Sequence, residues 1–452
     1  MVSVRHAAIR APDASRLDRV LAFESRRFGP SLASPAAALD ADAGDDAEIV
    51  IDLTGASIRQ GAPVLTLDFA GHRNFPGGVN AMLASRQLPE LVARLDGVAV
   101  GRARPMIADR VWLSRGSTDL LAGAISLIEQ SISRFAAGRL IPIGDVGQVR
   151  DSSGAGFVRH YLPALAVGLG RRAWRKLRLG RRPFYWQVGY RLLDGPGVAE
   201  TGRLDGTPFT ALPDDGQRFY ADPFAFEHNG RHYIFVEEFP YTTGRGVVSV
   251  AELGADGRFE TPRVVLEETH HLSYPQVFAH DGEVYMIPEG SAARELVLYR
   301  AQSFPDRWVR DTVLIADIEF NDATLLEQAG RYWLFGTQRR GRGSSSDTLA
   351  VYSAPTLHGP WLPHDMNPIA IDHSAARPGG SFVRADDKLL LPVQDGSQVY
   401  GGGLGLMELT RLGPADIAFA PPRPIGSGLA WSHRGIHTLN RVGRLEVIDS
   451  AG

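Results

Sequence analysis

Five times in the second half of the chain, a run of strand-forming residues meets a tight turn and doubles back. In the first copy, Tyr220 to Glu238, the turn is Asn229-Gly230, because Asn and Gly accept the positive φ of a two-residue hairpin turn. The frame returns as Tyr274–Glu289 about Gly282, Asp322–Thr337 about Gly330 and Gly379–Gln394 about Asp387. A looser copy runs from His433 through Gly443 to Asp449. The turn positions 230, 282, 330, 387 and 443 lie 52, 48, 57 and 56 residues apart. Repeats of roughly 40–50 residues, each several short strands, are the signature of a β-propeller. The spacing predicts a five-bladed β-propeller over residues 184–452. A ring must close, so the last strand, Leu445 to Asp449, is expected beside the aromatic strand Phe184 to Leu193, which removes two exposed edges.

Upstream the pattern changes to a small α/β domain, placed at residues 1–145. A helix is expected from Ser15 to Phe28, then an Ala/Asp-rich linker over 36–47. The apolar runs Glu48–Gly55 and Ala62–Phe69 read as buried parallel strands. Helices are expected over 77–85 and 116–135, with strands over 97–102 and 104–113 between them. Residues 146–183 form a basic connector: Arg171, Arg172, Arg175, Lys176, Arg178, Arg181 and Arg182 interleave with Trp174, Leu177 and Leu179. Such a segment fits an anionic membrane surface, or a solvated helix whose stem carbons cover apolar neighbours.

Composition narrows the function classes. With 452 residues and no cysteine, disulfides and thiolate metal sites are excluded. A net charge of −3 offers no general attraction to nucleic acid. The first ten residues lack the apolar core of a signal peptide, and no window supplies the roughly 20 apolar residues of a spanning helix. The expectation is a cytoplasmic protein with peripheral contact at the inner membrane face through 171–182. No metal or cofactor is expected, since His-rich ligand spacing and a strand–Gly-loop–helix context are both missing.

The repeat motifs Ala-Asp222-Pro-Phe, Val-Glu237-Glu238, Tyr-Pro-Gln-Val-Phe278, Ile-Pro-Glu289-Gly, Asn321-Asp322-Ala-Thr and Arg377-Pro-Gly-Gly-Ser381 carry a resemblance. They are similar to the N-terminal propeller domain of the plant glucosamine inositolphosphorylceramide transferases and its bacterial relatives. That domain in turn resembles the five-bladed propellers of glycoside hydrolase family 43. The resemblance implies a carbohydrate-related role. A second one, over residues 48–138, is to the later part of a formyltransferase-type catalytic domain. That family uses an Asn-x-His pair, which Leu67-Asp-Phe-Ala-Gly-His-Arg73 lacks, so the domain reads as degenerate.

In a propeller the innermost strands converge on one axis, so equivalent frame positions form rings. One ring is expected to hold Asp222, Tyr274, Asp322, Gly379 and Gly435; its partner ring holds Glu237, Glu289, Thr337 and Gln394. Cleaving a glycosidic bond takes one carboxylate as base or nucleophile and one carboxylic acid as proton donor. The family 43 resemblance makes Asp222 the base candidate; Glu289 is the acid candidate, with Asp322 as modulator or sugar-hydroxyl ligand. Glu237, Tyr274, Gln276, Asn321, Arg377, Gln394, His433 and His437 are candidate substrate contacts, and Glu238 alternates to the other face. The layout departs from family 43, which opens its second blade with an aspartate and keeps its acid glutamate in the third. Three functions therefore stay open: glycosyl transfer or hydrolysis on a glycan or glycolipid, non-catalytic saccharide binding or scaffolding, and formyl or acyl transfer to a sugar.

Overall fold

The computed structural model describes residues 15–33, 48–53, 61–85, 88–144, 146, 157–179, 185–398, 401–432 and 435–451. The chain divides into two compact units, residues 1–181 with 340–344, and residues 182–339 with 345–452.

The first unit is built on one four-stranded sheet. Val50–Asp52 runs parallel to Val64–Phe69, which pairs antiparallel with Leu91–Leu95, and that with Val98–Ala103. Helix α1 (Arg16–Phe28) opens with a reciprocal cap between Ser15 and Asp18, which satisfies two backbone N–H groups that a helix start leaves unpaired. Helices α2 (Phe75–Ser85), α3 (Leu113–Ala136) and α4 (Phe157–Leu179) follow. The parallel pair lies where the apolar runs place it. The hairpin lies one strand earlier than the sequence suggests: Asp96 and Gly97, both at positive φ, turn Leu91–Leu95 into Val98–Ala103. Residues 105–112 are no strand. Asp109 accepts from the backbone N–H groups of Val111 and Trp112, and the segment leads directly into α3. The connector is helical from Phe157 to Leu179. Among the described residues, no helix is long and apolar enough to cross a membrane.

The second unit is mostly β, in five sheets. Four are meanders in chain order. They begin at Arg218–His228, Ser273–His280, Phe320–Gln328 and Val383–Ala385. The fifth takes its strands from both ends of the unit: Ile436–Val442, Leu445–Ala451, Trp186–Leu192 and Thr210–Ala211. The expected pairing of last strand with first runs from Leu445 against Leu192 to Ala451 against Trp186. At the first hairpins of the first two sheets, Asn229-Gly230 and Asp281-Gly282 have positive φ at both turn residues, the geometry that matches strand twist. In the fourth hairpin Asp386 takes the positive φ, one residue before the expected turn position.

Apolar packing follows the same order. One buried cluster joins Phe235 and Val250 of the first sheet to Tyr274 and Met286 of the second. Others join the second to the third, the third to the fourth and the fourth to the fifth. A fifth cluster joins Val188 and Val447 of the last sheet to Tyr220 and Ile234 of the first.

A buried ion pair holds the fifth sheet, whose pairings are all antiparallel. Arg191, on its third strand, donates from Nε and Nη2 to Glu446 Oε2 at 2.8 and 2.6 Å, and from Nη1 to the carbonyls of Asp205 and Thr207. The other Glu446 oxygen accepts from Val198 N at 2.9 Å. Every charge is thus hydrogen-bonded, as a buried pair requires. Removing one partner leaves the other charge buried alone. Glu446→Ala is expected to destabilise this unit by about 3–5 kcal/mol, read as a lower urea midpoint by tryptophan fluorescence.

Candidate functional site

The first strand of four of the five sheets slips register by one residue at the same place. The slips fall between Ala221 and Phe224, Ser273 and Gln276, Asn321 and Thr324, and Ile436 and Leu439. Each is a β-bulge, which re-aims side chains and frees backbone groups from the ladder. Asp222, Tyr274 and Asp322 sit in these bulges at φ of 48°, 47° and 51°, a left-handed conformation unusual for residues other than glycine. In the fifth sheet the slip falls two residues beyond Gly435, so His437 takes the place that the repeat frame assigns to that glycine.

The freed N–H groups find partners on other sheets. Asp222 N donates to Asp449 Oδ2 at 2.9 Å, and Asp322 N to Glu289 Oε2 at 3.1 Å. Gly380 N donates to the Tyr274 hydroxyl at 2.6 Å, and that hydroxyl also bonds Thr324 Oγ1.

His437 lies between two carboxylates. Its Nδ1 is 2.8 Å from Asp449 Oδ1 and its Nε2 is 3.2 Å from Asp222 Oδ1. Trp186 stacks on the ring at 4.0 Å. Burial opposes a charge on this imidazole, but the two aspartates outweigh it and push its pKa up to about 10. His437 is therefore an imidazolium at neutral pH. Burial raises the Asp222 carboxyl, and His437 opposes that rise. The contact to His437 is not an aligned hydrogen bond, and Asp222 Oδ1 has no hydrogen-bond partner among the described residues. The same three side chains bring one ligand atom each within 4.8 Å of one another, close enough to share a cation. A metal there would have to replace the proton on an imidazole nitrogen that now faces a carboxylate.

Arg377 organises the third acid. Its Nε and Nη2 grip Asp322 at 2.5 and 3.1 Å, while Nη1 donates to Ser346 Oγ. Gln394 Nε2 donates to the same Asp322 oxygen at 2.6 Å. Burial, with Glu289 nearby, pushes Asp322 up to about 7 against the pull of the guanidinium. Glu289 lies 3.6 Å from Arg377 Nη2, and its other oxygen accepts from Ser291 Oγ at 2.9 Å.

Glu237 is held differently. His271 Nε2 lies 3.2 Å from its Oε1, and His271 Nδ1 accepts from Gly246 N at 2.9 Å. That backbone donor assigns the ring hydrogen to Nε2, facing the carboxyl. Burial raises the proton affinity of Glu237, the Asp222 charge adds to it, and His271 opposes.

A cavity of about 410 Å³ opens on these groups. Of the residues expected at a site, Asp222, Glu237, Glu289, Arg377 and His437 line it. Trp186, Phe219, Phe239 and Tyr241 form an apolar wall, with Phe219 and Phe239 stacked at 4.9 Å. Four expected contacts, and Asp322, are elsewhere. Tyr274 is fully buried. Gln276 bridges to Leu325 and Ser381, and Asn321 donates to the Thr337 carbonyl. Asp322 and Gln394 pair with each other behind Arg377. Glu238 pairs with Arg218 and Ser249, away from the lining. His433 lies outside the described residues. The sequence reading missed His271, Asp449 and the aromatic wall. The His270-His271 pair ahead of the second hairpin was the available signal for the first.

The linkage of His437 has a definite sign. Its folded pKa of about 10 is above the ordinary 6.5. Its stabilisation is complete below about 6.5 and is lost as pH rises through 10. His437→Gln is expected to melt well below the wild type at pH 7, and the gap should narrow between pH 8 and 10 in thermal melts.

Residues 212–420 match the family model described as glucosamine inositolphosphorylceramide transferase 1, N-terminal. Glucosamine inositolphosphorylceramide transferase 1 of Oryza sativa subsp. japonica is 33% identical over 238 residues, 51% of this chain and 31% of that protein. The Arabidopsis thaliana protein of the same name is 33% identical over 198 residues, 43% of this chain and 26% of its own length. The chain thus spans less than a third of these relatives. Among solved structures, a thermostable family-43 glycoside hydrolase aligns with a TM-score of 0.36 and 13% identity, over 45% of this chain and 76% of that one. Cellvibrio cellulosa alpha-L-arabinanase complexed with arabinohexaose aligns at 0.35 and 19%, over 51% and 83%. By sequence, the sheets from 212 to 420 are similar to the N-terminal region of the glucosamine inositolphosphorylceramide transferases.

Proposed function

We propose that the five sheets are the blades of a closed five-bladed propeller, and that its axial cavity takes a saccharide and acts on a glycosidic bond. The observation that carries this reading is the make-up of the cavity. Two buried carboxyls of raised proton affinity, Asp222 and Glu237, share it with an aromatic wall. Aromatic faces suit the apolar side of a sugar ring, and two carboxyl groups are what glycosidic chemistry needs.

In this reading Asp222 is the base. Asp222 lines the cavity, its Oδ1 has no hydrogen-bond partner among the described residues, and the His437 imidazolium favours its ionised form. It takes the proton of an acceptor hydroxyl as that oxygen bonds to the anomeric carbon. The bond from that carbon to the leaving oxygen breaks, and the leaving oxygen takes a proton from an acid. The sequence frame puts Glu289 in that role. We assign it to Glu237, because both Glu289 oxygens already accept hydrogen bonds while burial moves Glu237 toward its protonated form. Asp322 serves as the anchor that orients Arg377 toward the cavity. The relatives are named as transferases acting on inositolphosphorylceramide, and transfer to a glycolipid hydroxyl is the version we favour over hydrolysis.

A second reading, a non-catalytic saccharide-binding propeller, draws on one observation: two of the three expected acids, Asp322 and Glu289, are engaged in hydrogen bonds. The test begins with a glycan array, followed by turnover assays on the saccharides retained. Asp222→Asn and Glu237→Gln are each expected to lower kcat by about 100- to 10 000-fold while the saccharide stays bound. Retention without turnover by the wild type selects the second reading, and no retention of any saccharide defeats both. Wild-type turnover by Glu237→Gln returns the acid role to Glu289.

A further inference from the structure

Helix α4 has two faces of different character. Its inner face is fully committed. Phe157 is buried and stacks on Tyr161 at 5.4 Å. The Tyr161 hydroxyl donates to Glu24 Oε1 at 2.7 Å, and His160 Nδ1 lies 2.7 Å from Asn80 Oδ1. Gly168 lets the backbone pass close to Val111, where a Cβ would come within 2.8 Å of a methyl. Arg172 donates to Asp109 at 2.8 Å.

The outer face is apolar. Leu162, Ala166, Leu169, Ala173 and Leu177 follow one another at steps of four, three, four and four residues, which puts them on one line along a helix. All five are exposed, Leu162 at 56%, Leu169 at 41% and Leu177 at 83%. Trp174, beside the line, is 58% exposed. A soluble surface scatters such residues singly, whereas a continuous line of them marks an interaction site.

The charges say what the site fits. From Phe157 to Leu179 there is no Asp or Glu, and Arg159 and Lys176, both exposed, flank the two ends of the line. A second copy of the helix packed on this line would set cations against cations. An anionic lipid surface supplies both missing partners: acyl chains for the leucines and phosphate charge for the cations.

We propose that helix α4 lies in the plane of an anionic membrane, with the line from Leu162 to Leu177 dipped below the headgroups and Arg159 and Lys176 at the phosphates. The helix rests on the surface and does not cross it. This site is separate from the cavity and does not depend on the saccharide reading.

The test is flotation of the full chain with vesicles of phosphatidylcholine alone or mixed with phosphatidylglycerol. Binding is expected to the mixed vesicles only, and to fall steeply with added salt. Arg159→Gln and Lys176→Gln should each lower partitioning about fivefold. Leu169→Glu combined with Leu177→Glu should abolish it, with circular dichroism and melting unchanged because both positions are exposed. Asp222→Asn should float like the wild type. No flotation with anionic vesicles overturns the proposal, and so does wild-type flotation by the double leucine variant. Concentration-dependent self-association that the leucine variant abolishes, without flotation, assigns the face to a second copy and also overturns it.

Discussion

The second unit depends on its last strand finding its first. Leu445–Ala451 pairs along its whole length with Trp186–Leu192, and the buried Arg191–Glu446 pair ties the two together. Without that pairing the fifth sheet would be split between two ends of the chain. Each half would expose a strand edge, and the cluster between the last sheet and the first would lose its members Val188, Tyr190, Leu445 and Val447. The same pairing builds the candidate site. Asp449 and Trp186 come from the two strands so joined, and both touch His437. Asp449 also receives the freed N–H of Asp222 on the first sheet. The terminal pairing and the candidate site thus share the same two strands.

The electrostatics of the cavity follow from crowding. Asp222, Glu237, Glu289, Asp322 and Asp449 crowd into one region with Arg377, His437 and His271. Several ionised carboxyls in a dry volume repel one another, so some must hold protons or a cation must stand between them. The structure uses both solutions. His437 separates Asp222 from Asp449 as an imidazolium, and Arg377 neutralises Asp322 with two parallel hydrogen bonds. Glu237 has the His271 ring, whose other nitrogen is occupied by a backbone donor, and the more distant charge of His437. Burial, with the Asp222 charge, raises its proton affinity against those two rings. These pairs titrate together, and the protons belong to the group as much as to any one side chain.

Part of this was legible beforehand. Asn229-Gly230 and Asp281-Gly282 announce hairpins because few other pairs accept two positive φ values, and their spacing counts the units. Asp222, Glu237 and Glu289 were found because equal offsets from those turns bring side chains to equal heights. The offsets fail where the strand slips. In the fifth sheet the bulge falls at His437 instead of Gly435, two residues further along than the offset from Gly443 gives. Tyr274 and Gln276 occupy ring positions yet serve neighbouring sheets, because a bulge changes the direction of a side chain without changing its place in the count. In the first unit, the apolar run after Ala103 read as a strand although Asp109 bends it toward a helix.

Local chemistry thus determined the turns, the number of units, the acids on the inner strands and the cations of helix α4. These depend on backbone preferences and on spacing along the chain, and both are properties of neighbouring residues. Tertiary structure alone decided the partners. Asp449 lies 227 residues from Asp222 in the chain, and Arg191 lies 255 from Glu446. Proton affinity depends on which charges share a buried volume, and that volume forms only when distant strands pair. The carboxyls were visible as letters; which one is compensated, and which is left to hold a proton, is settled by the residues that folding brings against them.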